Sequence, residues 1–234
     1  MGEEGIQWFF AKVENLQDPL MLGRAKIRVF GDHQGLDTED LPWAVSLLPI
    51  TSASNQQVGS SPTGLEIGSR VMGMYLDGQE KQKPVIWGSI AQIPEMDNEK
   101  HDVSKLARGE NSLDKQPLGP EPASAYAAQY PENKVYQTKT GHVVEFDDTP
   151  GAERIHVYHK SGTYTEINYE GQRVDKTVGN YFQIIQGKQV MYVKGEAEWT
   201  AQGELKIKSD GNITIDATKV YIKGDDTDLY LTMG

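Results

Sequence analysis

Glycine returns at every eighth position near the end of the chain, at Gly171, Gly179, Gly187, Gly195, Gly203 and Gly211. Glycine supplies 24 of 234 residues, so five further hits in register have a chance of about 10⁻⁵, and the spacing is a repeat. The units are GQRVDKTV, GNYFQIIQ, GKQVMYVK, GEAEWTAQ, GELKIKSD and GNITIDAT. Each holds one short strand-like run and one glycine, and such a glycine marks a corner where φ is positive or where backbones approach closely. In the later units Leu205, Ile207, Ile213 and Ile215 share one parity, while Glu204, Lys206, Lys208, Asn212 and Thr214 take the other. That is the pattern of a strand with one buried face.

A three-sided solenoid made by one chain needs three octads per coil, so six octads give only about two coils, too few to bury a core. Three copies wound around one another bring the inward faces to a shared axis. The repeat therefore predicts an obligate, interwound homotrimer, a β-helix of prism shape rising roughly 5 Å per strand. One position of the unit runs from Ile185 and Val193 to Ala201, Ser209 and Ala217, which predicts a taper.

The remaining residues predict an all-β chain in three parts. Residues 6–90 contain five strand-like segments: IQWFFAKVE, RAKIRVFG, LPWAVSLLPI, SRVMGMYLDG and KPVIWGSI. Ala25, Ile27 and Val29 alternate with Lys26 and Arg28, and Asp18-Pro19 with Gly23 supplies turn chemistry. Five short strands in this length suit a small antiparallel barrel of the OB type, assigned to residues 1–92. Residues 93–130 are polar and carry Pro117, Pro120 and Pro122, the composition of an extended linker. Residues 131–234 open with more strand-like runs, turned most clearly at DDTPG, and continue into the octads.

Composition excludes several function classes. There is no cysteine, hence neither a disulfide framework nor a thiolate metal site. The start, MGEEGIQWFF, is acidic where a signal peptide is basic. The net charge of -11 divides as about -4, -3 and -4 over the three parts, which disfavours attachment to phosphate backbones or anionic lipid. Trp8, Trp43 and Trp87 are read as core and hairpin packing rather than base-stacking platforms. The loop Gly59–Gly64 lacks the Gly-Lys-Ser/Thr of a phosphate cradle.

Candidate catalytic and metal groups reduce to ordinary ones. His156 and His159 lie three apart, on opposite faces of a strand, so they cannot chelate one ion within one copy. Glu145, Asp147 and Asp148 cluster beside a turn, as do Asp225, Asp226 and Asp228, and both groups are expected to be solvated. No catalytic, cofactor or metal residue is assigned.

The segments WFFAKVENLQDPLMLGRAKIRVFGDH, DLPWAVSLLPITSAS and VGSSPTGLEIGSRVMGMYLDGQEKQKPVIWGSI resemble the N-terminal OB domain of the central spike proteins of contractile-tailed phages. GHVVEFDDTPG and HVYHKSGTYTEI resemble the start of the β-helix of the same spikes and of type VI secretion spikes. The best-known members carry a lysozyme domain after the barrel; fewer than 40 residues fill that place here, too few to enclose a glycosidase cleft. The resemblance implies a non-enzymatic homotrimer in the virion tail baseplate, made in the host cytoplasm. Its barrels would join a hub protein, and its needle would be driven through the host outer membrane on sheath contraction. Some such spikes carry a His-x-His iron site at the tip. No histidine follows His159, and the end shrinks to small side chains, so a separate PAAR-type capping protein is expected over Gly224–Gly234. The competing expectations are a monomeric OB-type binder of single-stranded nucleic acid, a cell-wall hydrolase, and a spike of a tailocin or secretion particle.

Overall fold

The computed structural model of the chain describes residues 6–53, 63–92 and 121–222. Most of the expected linker, most of the Gly59–Gly64 loop, the group Asp225, Asp226 and Asp228, and the end at Gly224–Gly234 lie outside the described residues.

The first domain is a closed barrel of five strands: β1 (Gln7–Asn15), β2 (Ala25–Val29), β3 (Trp43–Ser46), β4 (Arg70–Tyr75) and β5 (Pro84–Ile90). Their order around the barrel is β1-β2-β3-β5-β4, with β3 and β5 parallel and the other pairs antiparallel. Alternation decides what faces inward. Phe9, Ala11 and Val13 of β1, Ala25, Ile27 and Val29 of β2, and Val71 and Tyr75 of β4 form one buried cluster with Ala44 and Ile86. The inward parity expected for the second strand holds at all three of its positions.

The turn between β1 and β2 is closed by one carboxylate. Asp18 accepts from the backbone N–H groups of Leu20, Leu22 and Arg24 and is gripped by the Arg24 guanidinium, Nη2 to Oδ1 at 2.7 Å. The Arg24 hydrogen bond outweighs burial and drives the acid far below its usual range. The Asp-Pro-Leu and Leu-Gly-Arg pieces of the sequence are therefore two ends of one charge-assisted loop. A second bidentate pair, Arg28 on Glu14 at 2.7 and 2.8 Å, ties β2 to β1 on the outer surface.

The tryptophans depart from the core reading. Trp8 and Trp87 stand on the outside of the barrel, each about half exposed, and pack edge to face with ring centroids 4.8 Å apart. Their parity explains it: Phe9 and Ile86 take the inward positions beside them. Trp43 lies under Arg24 and Lys26, at 5.3 and 5.4 Å from the ring centroid.

The second part is an antiparallel meander of β6 (Asn133–Gln137), β7 (Val143–Asp147), β8 (Arg154–Tyr158), β9 (Tyr164–Asn168) and β10 (Arg173–Lys176), ordered β10-β9-β8-β7-β6. The DDTPG turn joins β7 to β8 as expected. Gly171, the first octad glycine, has φ +77° in the turn between β9 and β10, a conformation that favours glycine.

Residues 181–222 belong to a separate unit. Among these described residues no strand ladder forms, and every residue is exposed. The one strand of the octad region is β10, in the first unit.

Gly73 is the barrel's tightest point. A Cβ there would overlap the Val85 carbonyl oxygen and sit 2.5 Å from the Phe9 ring, so the ring occupies the space a side chain would need. Gly73→Ala should destabilise the barrel by about 3 kcal/mol in urea denaturation. Gly88→Ala, with nothing within 4 Å of the new carbon, should change stability by less than about 0.5 kcal/mol.

Candidate association surface

The meander places its polarity the wrong way round for a lone sheet. On one face stand Asn133, Glu145, Asp147, Arg154, His156 and Glu166, all buried. On the other, Tyr136, Phe146, Ile155 and Val157 are exposed, and Val144 and Ile167 half-buried. The register gathers these into one apolar patch: Tyr136, Val144 and Val157 form a row that ends in Thr165 and Asp175, and Phe146, Ile155 and Ile167 the next, between Lys134 and Arg173. Each such side chain left in water forgoes roughly 1.5–3 kcal/mol of burial.

Charge neutralisation accounts for the buried face. Arg154, fully buried, donates through Nη2 to Glu145 and through Nη1 to Glu166 Oε2 at 2.8 Å. Asn133 Nδ2 donates to Glu145 at 3.2 Å, and His156 Nδ1 lies 3.2 Å from Glu166. The cover is the chain itself. Residues 121–130, expected to be linker, lie across this face. Ser124 Oγ and the Ala125 N–H donate to Glu166 at 2.9 and 3.2 Å, and the Tyr126 ring sits 4.8 Å from the Arg154 guanidinium carbon. Glu121 accepts from Tyr164 Oη at 2.6 Å and Lys176 Nζ at 2.7 Å.

The turn carboxylates therefore divide. Glu145 and Asp147 are buried strand residues, which corrects the expectation that they are solvated. Asp148 stays exposed and pairs with Lys134 at 2.9 Å. Burial pushes Glu145 up against the pull of Arg154. Glu166 suffers the same burial, but bonds from His156, Arg154 and the Ala125 N–H overcome it and hold the acid at about 2. Sequence reasoning missed Arg154 and Glu166. The available signal was the alternation of Glu145 and Asp147 with Phe146, mirrored by Arg154 and His156 around Ile155.

The histidines fall as their parity requires: His156 is buried in the network, and His159 is exposed just past the end of β8. Glu145 and Glu166 are occupied by Arg154, and Asp147 accepts from the Thr149 N–H and hydroxyl.

The octads continue the apolar excess. Tyr181, Phe182, Ile184, Val190, Met191, Tyr192, Trp199, Leu205, Ile207, Ile213 and Ile215 are all exposed, Ile184 at 88%. The least exposed are Ile185 at 43% and Val193 at 47%, the two large residues at the head of the tapering position. Gly179, Gly187, Gly195 and Gly203 have no atom within 4 Å of a built Cβ, and none of them, nor Gly211, has positive φ.

A five-stranded barrel closed through a parallel pair defines the N-terminal part as an OB-type domain. The profile of the Gp5 N-terminal OB domain matches residues 24–153. Protein Gp5 of Vibrio phage KVP40 is 31% identical over 285 aligned positions, covering 92% of this chain and 68% of that protein. The pre-baseplate central spike protein Gp5 of Enterobacteria phage T4 is 36% identical over 110 residues, 46% of this chain and 19% of that protein. The chain belongs to the Gp5 family.

The two glutamates give opposite pH signs. Glu166 titrates near 4.5 unfolded and at about 2 in the fold, so its stabilisation is complete above pH 4.5 and is lost as the pH falls towards about 2. Glu145 is shifted upward, so its ionisation removes stability as the pH rises past the usual carboxylate range. Glu166→Gln should cost about 3 kcal/mol at pH 7 and progressively less below pH 4.5, whereas Glu145→Gln should cost less at pH 7. Urea titrations at pH 7 and pH 3 check both.

Proposed function

We propose that the chain is the central spike of a phage tail baseplate, a homotrimer whose C-terminal shaft is an interwound β-helix that punctures the host outer membrane on sheath contraction. The observation that carries this reading is the sheet that buries its charges under its own chain and leaves its apolar face open, followed by octads with the same apolar excess. Two sister copies supply the cover. In that assembly the octads gain the hydrogen-bonding partners that one copy lacks, and the inward parity of Leu205, Ile207, Ile213 and Ile215 meets a common axis. Gly179, Gly187, Gly195, Gly203 and Gly211 have no positive φ to serve in their own chain, so the need for glycine is assigned to close approach between chains.

A shaft whose strand edges are all paired by neighbours has no free edge to peel, and unfolding it requires unthreading three chains. That is the kinetic resistance a driven needle requires, and it needs no catalytic site. The domains follow this division of labour: the barrel of residues 1–92 docks a hub protein, residues 93–130 connect, and residues 131–234 form the needle with a small capping protein on its end. Both relatives described above are phage proteins, which favours a virion tail over a secretion particle. The nucleic-acid reading loses its platform because Trp8 and Trp87 pack against each other on an acidic domain.

Particles assembled with a chain ending at Lys176 test the proposal. Their tails should contract on the host, as seen by electron microscopy, without admitting an impermeant chromogenic substrate to a periplasmic β-lactamase. Full-length particles should admit it. Equal substrate hydrolysis by both would refute a puncturing role for the octads.

A further inference from the structure

One pair of side chains has no part in the buried network and stands on the opposite face, next to the row of Val144 and Val157. His142 and His159 lie one residue beyond the Val143–Tyr158 pair, where β7 begins and β8 ends, and continuing that register sets them opposite each other. Backbone bonds hold both flanks. The Thr138 N–H donates to the His142 carbonyl at 2.9 Å, and the His159 N–H to the Thr163 carbonyl at 2.8 Å. The rings lie side by side with centroids 4.5 Å apart and planes at 49°. His159 is exposed and His142 half-buried, so both can be reached from solvent.

We infer that His142 and His159 form a cross-strand chelate for a borderline-soft divalent cation of the zinc, nickel and copper class. The spacing fits. With metal–nitrogen bonds of ~2.1 Å, each ring centroid lies ~3.2 Å from the ion, so a right-angle pair of imidazoles, as on nickel or copper, has centroids ~4.5 Å apart and a tetrahedral pair, as on zinc, ~5.2 Å. Such a pair needs little rearrangement, and the antiparallel ladder has already fixed both backbones.

The tautomer of His159 is governed by Ser161. Its Nδ1 receives the Ser161 N–H at 3.1 Å and lies 2.8 Å from Ser161 Oγ, leaving Nε2 as the nitrogen turned to an incoming ion. Binding of the ion at Nε2 moves the ring proton to Nδ1, which gives up the bond from the Ser161 N–H and donates to Ser161 Oγ instead, the outer contact that orients a ligating histidine. The ring of His142 makes no hydrogen bond among the described residues, so either nitrogen is available. No group of three His, Cys, Asp or Glu side chains suited to a metal occurs among the described residues, so water completes the coordination. Imidazole pairs of this kind favour nickel, copper and zinc over magnesium, which demands oxygen ligands. Both ligands come from one copy, on the face that carries Val144 and Val157. Sequence spacing ruled out His156 with His159, and the pairing with His142 emerges only when the hairpin folds about DDTPG and sets residue 142 against residue 159.

Calorimetric titration of Ni²⁺ into the full chain, prepared without a histidine tag and stripped with chelator, tests the inference. One ion should bind per chain, Mg²⁺ should give no heat, and Ni²⁺ should raise the melting temperature. His142→Gln and His159→Gln should each weaken Ni²⁺ binding by about tenfold or more and abolish the thermal shift, with unchanged circular dichroism. Absence of Ni²⁺ binding at millimolar concentration, or equal binding by the wild type and both variants, would overturn it.

Discussion

A guanidinium placed between two carboxylates sets the arrangement of the C-terminal half. Arg154 lies buried against Glu145 and Glu166, and desolvating three charges is tolerable only if every one of them is met. Residues 124–126 satisfy Glu166 and cover the guanidinium, Asn133 donates to Glu145, and Arg154 Nε is buried without a hydrogen bond among the described residues. Once that face of the meander is taken, the alternation of a β-strand leaves the other face to Phe146, Ile155, Val157 and Tyr136. An apolar face follows from the buried ion network as directly as the pleat itself.

The barrel shows the opposite economy. Its inward residues are apolar, its buried carboxylate Asp18 is met by Arg24 and three backbone N–H groups, the Glu14–Arg28 pair lies outside, and the ring of strands is closed. It has a core of its own. The octads have none within one copy, since residues 181–222 are exposed throughout. The proposed docking domain and shaft rest on this contrast between a part with its own core and a part with none.

How much of this was legible in the sequence follows from how local each cause is. The barrel strands could be read because Ala25, Ile27 and Val29 alternate with Lys26 and Arg28, and the β1–β2 turn because Asp18 acts on residues within six positions of itself. The need for glycine at position 73 could not be read, since it comes from the Phe9 ring folded over it from another strand. The outward stance of Trp8 and Trp87 was hidden for a similar reason: each has a large apolar neighbour competing for the inward parity. At Glu145 and Asp147 the turn beside them pointed to solvent, whereas Arg154 across the ladder and residues 124–126 far upstream drew Glu145 inward. His142 escaped because its partner is 17 positions away in sequence and adjacent only after the hairpin forms.

The account stands or falls on the number of chains required to cover the apolar faces. Light scattering on the purified full chain at micromolar concentration measures that number without assuming a shape. A mass of about 78 kDa, three times the 26.0 kDa of one chain, is the result expected of an interwound trimer. A folded, stable species of 26.0 kDa would contradict it, because the octads would then have found shelter within a single copy.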